Sequence, residues 1–190
     1  MSAETDELLA TVRLLKDRQD ILDCITREAR GRDRQDVELT RGCYWDDGFD
    51  EHGPHITPAP DYPARANMGH AAFFAATSHN ITNHSCEIDG DTAHCETYVV
   101  GGLLSKDEAT CKIAPGRYID RMERRANEQG VVEWRILHRR CIVDMAIEGS
   151  AEWLASSAIA GFLRPLWSTD DISYQRPVVV GTDGVRWGQG

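Results

Sequence analysis

The spacing of apolar residues changes once along this chain, near residue 79, and that change dictates the class of fold. Before it, Leu8, Leu9, Val12, Leu15, Ile21, Leu22 and Ile25 recur at close to the period of a helix. After it, strand-like runs are separated by short turn signals: Ile88-Asp89-Gly90-Asp91, Lys106-Asp107-Glu108 and Asn127-Glu128-Gln129-Gly130. Helices first and consecutive strands afterwards imply an α+β layout, with a helical layer packed on an antiparallel or mixed sheet. Helices laid on a strongly bent sheet make a cone-shaped barrel with a closed end and an open mouth. Such a cone is a natural small-molecule cavity.

The spacing predicts a first helix that stops at Gly31, with Arg13, Lys16, Asp17, Arg18, Asp20 and Asp23 on its solvated face. A second helix is expected from about Gln35 to Tyr44, with Asp33 as a candidate N-cap. Gly48, Gly53, Pro54, Pro58, Pro60 and Pro63 punctuate residues 46–66, which read as a short strand followed by a loop. A third helix is expected over Ala66 to Ser78. Strands follow at about 79–88, 92–104, 110–124 and 131–147, then a short helix over Ser150 to Ile159. With 190 residues the chain is long enough for its own core. It reads as one domain over 1–165 and an extended C-terminal tail over 166–190, placed to cover a pocket or a neighbouring subunit.

Composition removes several function classes. A net charge of −10 repels phosphate backbones, so nucleic acid is not expected as a partner. No apolar run approaches the ~20 residues that span a bilayer, so no membrane is expected. The acidic, polar start Met1-Ser2-Ala3-Glu4-Thr5-Asp6-Glu7 does not read as a signal peptide, and the expected location is cytoplasmic. Cys24, Cys43, Cys86, Cys95, Cys111 and Cys141 are scattered without a Cys-x-x-Cys, so they read as reduced, mostly buried thiols. The sequons at Asn80 and Asn83 are expected to carry no sugar. Asp46, Asp47, Asp50, Glu51 and His52 are spaced too irregularly for a metal loop and read as rim or turn. No metal and no cofactor is expected.

What remains is a carboxylate and an imidazole. Asp33 lies in Gly31-Arg32-Asp33-Arg34-Gln35-Asp36, and His79 opens His79-Asn80-Ile81-Thr82-Asn83. Together in an apolar pocket they form a general base that needs no cofactor. Capping of the second helix is the competing role for Asp33. On a regular strand, residues 79, 81 and 83 share a face and His84 takes the other. That parity brings Asn83 to the cavity with His79 and makes His79 and His84 a poor metal pair. Arg139 or Arg140, but not both, faces the cavity by the same alternation, there to stabilise an oxyanion or a leaving group. The competing role for either arginine is an ion pair with Asp120 or Asp144. Tyr44, Trp45, Phe74, Tyr98 and Tyr118 are candidates to line the pocket around a ring compound, although ordinary core is the commoner role for each taken singly.

Five motifs in order carry a family resemblance: Gly31-Arg32-Asp33; Tyr44-Trp45-Asp46-Asp47-Gly48-Phe49-Asp50-Glu51-His52-Gly53; His79-x-x-x-Asn83; Gly116-Arg117-Tyr118-Ile119-Asp120-Arg121; and Trp134-Arg135-Ile136-Leu137-His138-Arg139-Arg140. Over roughly residues 8 to 148 the chain resembles the SnoaL-like branch of the nuclear transport factor 2-like superfamily. That group includes scytalone dehydratase, hexachlorocyclohexane dehydrochlorinase and bile-acid 7α-dehydratase. The resemblance implies a cone-shaped α+β barrel, a homodimer or homotrimer, and cofactor-independent proton abstraction from a hydrophobic aromatic or steroid-like substrate. It places Asp33 and His79 as the catalytic pair, Asn83 at the spacing the dehydrochlorinase uses, and Arg139 at a pocket position after Trp134. The expected activity is that of a lyase expelling water, halide or a small aldehyde. An isomerase or cyclase with the same base, or a non-catalytic carrier, stays open. The chain lacks scytalone dehydratase's fuller set of pocket tyrosines and histidines, which leaves the substrate open too.

Overall fold

The structure, a computed structural model, describes residues 2–181 and 183–188. Its elements follow the change of period: α1 (Ala3–Asp33), α2 (Val37–Arg41), β1 (Tyr44–His52), β2 (His55–Pro58), α3 (Tyr62–Phe73), β3 (Phe74–Asp89), β4 (Thr92–Ser105), β5 (Thr110–Ala126), β6 (Val132–Val143) and β7 (Ile147–Ser150). One mixed, strongly curved sheet holds the strands in the order β2-β1-β6-β5-β4-β3, with β7 paired to β5. It does not close. The three helices complete the cone. No helix among the described residues is long and apolar enough to cross a membrane.

The β3-β4-β5-β6 meander is antiparallel, as its short turns require. β1 is the exception and lies parallel to β6, so the punctuated stretch after Tyr44 contributes a hairpin to the sheet rather than a strand and a loop. Turn signals are local and do not reveal that pairing. Other boundaries differ as well. α3 starts at Tyr62, with Pro63 in its first turn, and ends at Phe73, so β3 begins five residues before the change of period near His79. The fourth strand breaks after Val143, and only a 3₁₀ turn, Glu152–Ala155, stands where a short helix is expected.

α1 runs through Gly31 to Asp33. Gly31 is a point of contact: a Cβ there would meet Thr40 Oγ1 at 2.4 Å and Thr40 N at 2.9 Å, so only glycine lets α2 fold back against α1. Asp36, not Asp33, caps α2, accepting from Leu39 N–H at 2.9 Å. Only the second half of α1 is core: Ile21, Cys24 and Ile25 pack with Tyr44, Tyr62, Met122, Trp134 and Ile136. Leu8, Leu9, Val12 and Leu15, the start of the expected inner stripe, are exposed.

β3 departs from regular alternation. Its register with β4 shifts between Ile81 and His84. The bulge turns Asn83 to solvent and His84 inward, the reverse of the expected parity. The C-terminal tail folds onto its own chain: Tyr174 O–H donates to Asp36 at 2.7 Å, Arg30 stacks on its ring at 4.5 Å, and Asp171 caps a 3₁₀ turn and pairs with Arg34 at 3.5 Å.

Candidate active site

Two elements bring the base together. Asp33 is the last residue of α1, and its carboxylate reaches Thr77 and His79 in the first half of β3. His79 Nδ1 lies 2.6 Å from Asp33 Oδ1. A carboxylate only accepts, so Nδ1 carries the proton and Nε2 is left with a free lone pair. His79 N–H donates to Asp33 Oδ2 at 2.7 Å, and Thr77 Oγ1 donates to Oδ1 at 3.0 Å. Three bonds fix the carboxylate, and α2 makes no demand on it because Asp36 does the capping. Among the described residues His79 Nε2 has no hydrogen-bond partner.

His79 lines a cavity of about 110 Å³ with Val99, Gly101, Leu103, Ala114, Ile142 and Val143 along its apolar wall. Tyr118, His52, His70 and Cys141 supply its polar groups. His52 and His70 also face a second cavity of about 430 Å³, lined by α3 and the β1–β2 hairpin, with Tyr62, Thr57, Ala66 and Met68 among its walls.

His70 is the residue the sequence did not single out. Its ring stacks on His79 at 6.1 Å, with planes 11° apart. The buried Arg32 donates to His70 Nδ1 at 3.2 Å and to Asn67 Oδ1. An arginine only donates, so His70 carries its own proton on Nε2. Burial first, then the Arg32 charge, lowers the His70 pKa to about 3. The two stacked imidazoles thus differ: His79 is bonded to a carboxylate, and His70 is held neutral beside a guanidinium. The signal in the sequence is Arg32 itself, beside the candidate base, whose partner arrives from α3.

His52 differs again. Burial opposes its charge, but Asp50, with Oδ1 at 3.5 Å, and Cys141 outweigh it and raise the pKa to about 10. Asp50 is fully buried and accepts from Tyr44 O–H at 2.9 Å.

The remaining candidates separate cleanly. Tyr118 is on the cavity wall; burial, with the Glu28 charge behind it, pushes its pKa well above 10 and keeps its hydroxyl protonated. Alternation does send Arg139 inward and Arg140 outward, where Arg140 pairs with Glu51 at 2.7 Å. Arg139, however, does not line the cavity. It is buried beneath Tyr118, 3.9 Å from the ring centroid, and is held by Asp120 at 2.8 Å through two nitrogens and by Glu28 at 2.6 Å. Tyr44 is core below the cavity, packed on Tyr62 at 5.5 Å. Trp45 lies elsewhere, its N–H given to Glu123 O at 2.9 Å and its ring stacked by Arg135 at 4.8 Å. Tyr98 is on the outer face of β4 beside Arg117, and Asn83 is outside the bulge; neither reaches the cavity.

A carboxylate at the end of the first helix, paired with a histidine on the first meander strand at the wall of an open cone, accompanies a profile match. A SnoaL-like domain profile matches residues 13–140. The chain belongs to the SnoaL-like domain family. The match ends before β7 and the C-terminal tail, so both lie outside the SnoaL-like domain as the profile defines it. No curated protein sequence matches the chain. Among solved structures, a candidate scytalone dehydratase from Novosphingobium aromaticivorans superposes with a TM-score of 0.63 at 19% identity, over 72% of this chain and 90% of that one. A hexachlorocyclohexane dehydrochlorinase from Novosphingobium barchaimii gives 0.62 at 17% identity, over 73% and 94%. A protein of unknown function from Mycobacterium tuberculosis gives 0.59 at 26% identity, over 68% and 77%. These likenesses establish that this SnoaL-like chain has the cone fold of the nuclear transport factor 2-like superfamily.

Proposed function

We propose that this SnoaL-like protein is a cofactor-independent lyase that removes a proton from a hydrophobic ring compound and expels a leaving group. The observation that carries the reading is the 2.6 Å contact between His79 Nδ1 and Asp33 Oδ1, from which the tautomer of His79 follows. With Nδ1–H tied to Asp33, the basic Nε2 is the nitrogen left for a substrate at the apolar wall. Asp33 stabilises the imidazolium that forms when Nε2 takes the proton. Electrons of the broken C–H bond form the new double bond as the neighbouring carbon–leaving-group bond breaks. The departing oxygen or halide gains negative charge, and Tyr118 O–H and His70 Nε2–H are the neutral donors on the same cavity. At neutral pH Tyr118 keeps its hydroxyl proton and His70 stays a neutral imidazole with one N–H, which suits donors rather than bases.

The inner cavity alone is below the ~300 Å³ at which drug-sized ligands are usually held. A ring substrate fits the reading if it spans past His52 and His70 into the larger cavity under α3. The names of the solved neighbours, a dehydratase and a dehydrochlorinase, agree with an elimination and do not choose its leaving group.

The test is a panel of aromatic and steroid-like alcohols, hydroxymethyl compounds and alkyl halides, incubated with the protein and read by mass spectrometry. Loss of water or hydrogen halide in wild type, absent with His79→Ala, supports the elimination; loss of a small aldehyde supports a lyase in which the same base takes the proton of a hydroxymethyl O–H, the carbonyl forms, and the electrons of the broken C–C bond remain on the ring carbon. Mass-neutral rearrangement that depends on His79 points to an isomerase with the same base. Tight binding without turnover across the panel points to a carrier.

A further inference from the structure

The bulge in β3 has a second product besides the outward turn of Asn83. By bringing His84 onto the inner face, it aligns His84 with Cys86, two residues on. In register across β4, His84 faces Thr97 and Cys86 faces Cys95. The two sulfurs lie 3.4 Å apart, and the imidazole and both sulfurs fall within 4.8 Å of one another. From these three side chains the geometry points to a binding site for a thiophilic divalent cation, Zn²⁺ by the chemistry of its donors, distinct from the Asp33–His79 cavity.

Two thiolates and one imidazole form a donor set that Zn²⁺ takes readily, and hard cations such as Mg²⁺ do not. A tetrahedral ion about 2.3 Å from sulfur and about 2.1 Å from nitrogen holds its donors roughly 3.5–3.8 Å apart. Closing the cluster onto an ion therefore asks for side-chain movements on the order of 1 Å, with the strands left in register. The imidazole is also oriented for it. His84 Nδ1 and Thr97 Oγ1 are 2.8 Å apart, with Thr97 fully buried. Nδ1–H donated to Thr97 leaves Nε2 as the ligating nitrogen, and a fixed tautomer of this kind is what a metal-bound histidine requires. Nε2 is buried and has no hydrogen-bond partner, an unmet group beside two thiols.

β3 is the terminal strand of the sheet, and Arg18 of α1 covers it there, donating to Cys86 O at 2.9 Å. The cluster supplies three protein donors, its two sulfurs buried in the core, and leaves one tetrahedral position to a ligand that enters with the ion. An ion here would staple β3 to β4 beyond the bulge, where ladder pairing is interrupted. The spacing His84-x-Cys86 with a distant Cys95 belongs to no standard zinc motif. It becomes a site only through cross-strand register.

Full-length protein, reduced and stripped of metal, is titrated with Co²⁺ as an optical probe. We expect one equivalent to give thiolate-to-cobalt charge-transfer absorption that Zn²⁺ displaces. His84→Gln, at a half-buried position, and Cys86→Ser should each weaken Co²⁺ binding by at least about 10-fold, and Thr97→Val by about 10- to 100-fold. Cys111→Ser should bind as wild type does. Saturating Zn²⁺ should raise the melting temperature of wild type and not of Cys86→Ser. Absence of charge-transfer absorption in wild type overturns the proposal, as does equal affinity in wild type, His84→Gln and Cys86→Ser. The last result would place the ion away from this cluster. The wild-type spectrum decides even if a cysteine variant folds poorly.

Discussion

Arg139 shows how far one residue's role depends on what surrounds it. The sequence offers a cation in the right strand register for an oxyanion. The structure spends that cation on Asp120 and Glu28, all three buried. Removing one member of such a group leaves uncompensated charge in the core, at a cost of roughly 3–5 kcal/mol. Arg139→Ala should therefore lower the urea-unfolding free energy by about that amount. A variant of near-wild-type stability and much-reduced turnover would instead return Arg139 to the chemistry. His70 gives a second prediction at the same scale. Its pKa falls from 6.5 to about 3 on folding. The unfolded chain thus binds a proton that the folded chain refuses, so stability is full above pH 6.5 and falls as the pH drops towards 3. Melting temperatures across that window should show a shallower acid slope in His70→Gln, which keeps an acceptor for Arg32. Superimposable slopes would mean that His70 titrates normally in the fold.

Among the elements, the α1–α2 corner decides whether a base exists. Gly31 lets α2 pack back, Asp36 caps it, and Asp33 is thereby free for His79. Gly31→Ala puts a methyl group against Thr40 Oγ1 and Thr40 N, and should cost roughly 1–3 kcal/mol. It should also reduce turnover by more than the stability loss explains, because Asp33 moves with the corner. Unfolding and kinetics on the same preparation check this; unchanged turnover would show that the corner does not position the carboxylate. Much of this level is legible in the sequence. The change of period, three helices and the antiparallel meander rest on local spacing and turns, and Asp33, at the end of α1, and His79, within β3, stand at positions that the family pattern marks. What stays hidden depends on partners far along the chain. The bulge at Ile81–His84 exists only against β4, and it inverts Asn83 and His84. The parallel β1–β6 pairing needs the whole curved sheet. Arg32 meets His70 only once α3 is in place, and Trp45 leaves the cavity because Arg125 and Arg135 draw it to the other end.

At the scale of the molecule, the first half of α1 is an apolar stripe left exposed among the described residues. Leu8 is 63% exposed and Leu15 61%, with Val12 between them. A helix of this pattern in water calls for a partner surface, and we propose that a second copy of the chain is that partner. We expect a homodimer or homotrimer. Light scattering at micromolar concentration should give two or three times 21.2 kDa for wild type. The double variant Leu8→Glu with Leu15→Glu should shift towards the monomer. A wild-type monomer would leave the stripe unexplained and remove the expectation. The tail, seated beside α2 through Tyr174 and Asp171, braces the Asp33 corner within its own chain.

The most direct measurement is single-turnover kinetics, with a substrate found in the panel, on wild type, Asp33→Asn, His79→Ala and the double variant. A positioned base contributes about 10²–10⁴-fold, and its orienting carboxylate works through it. Each single change should lower the rate by that order without loss of fold. The double variant should fall little further, because the two residues act as one unit. Near-wild-type rates in both single variants would contradict the mechanism and leave the cone as a binding site.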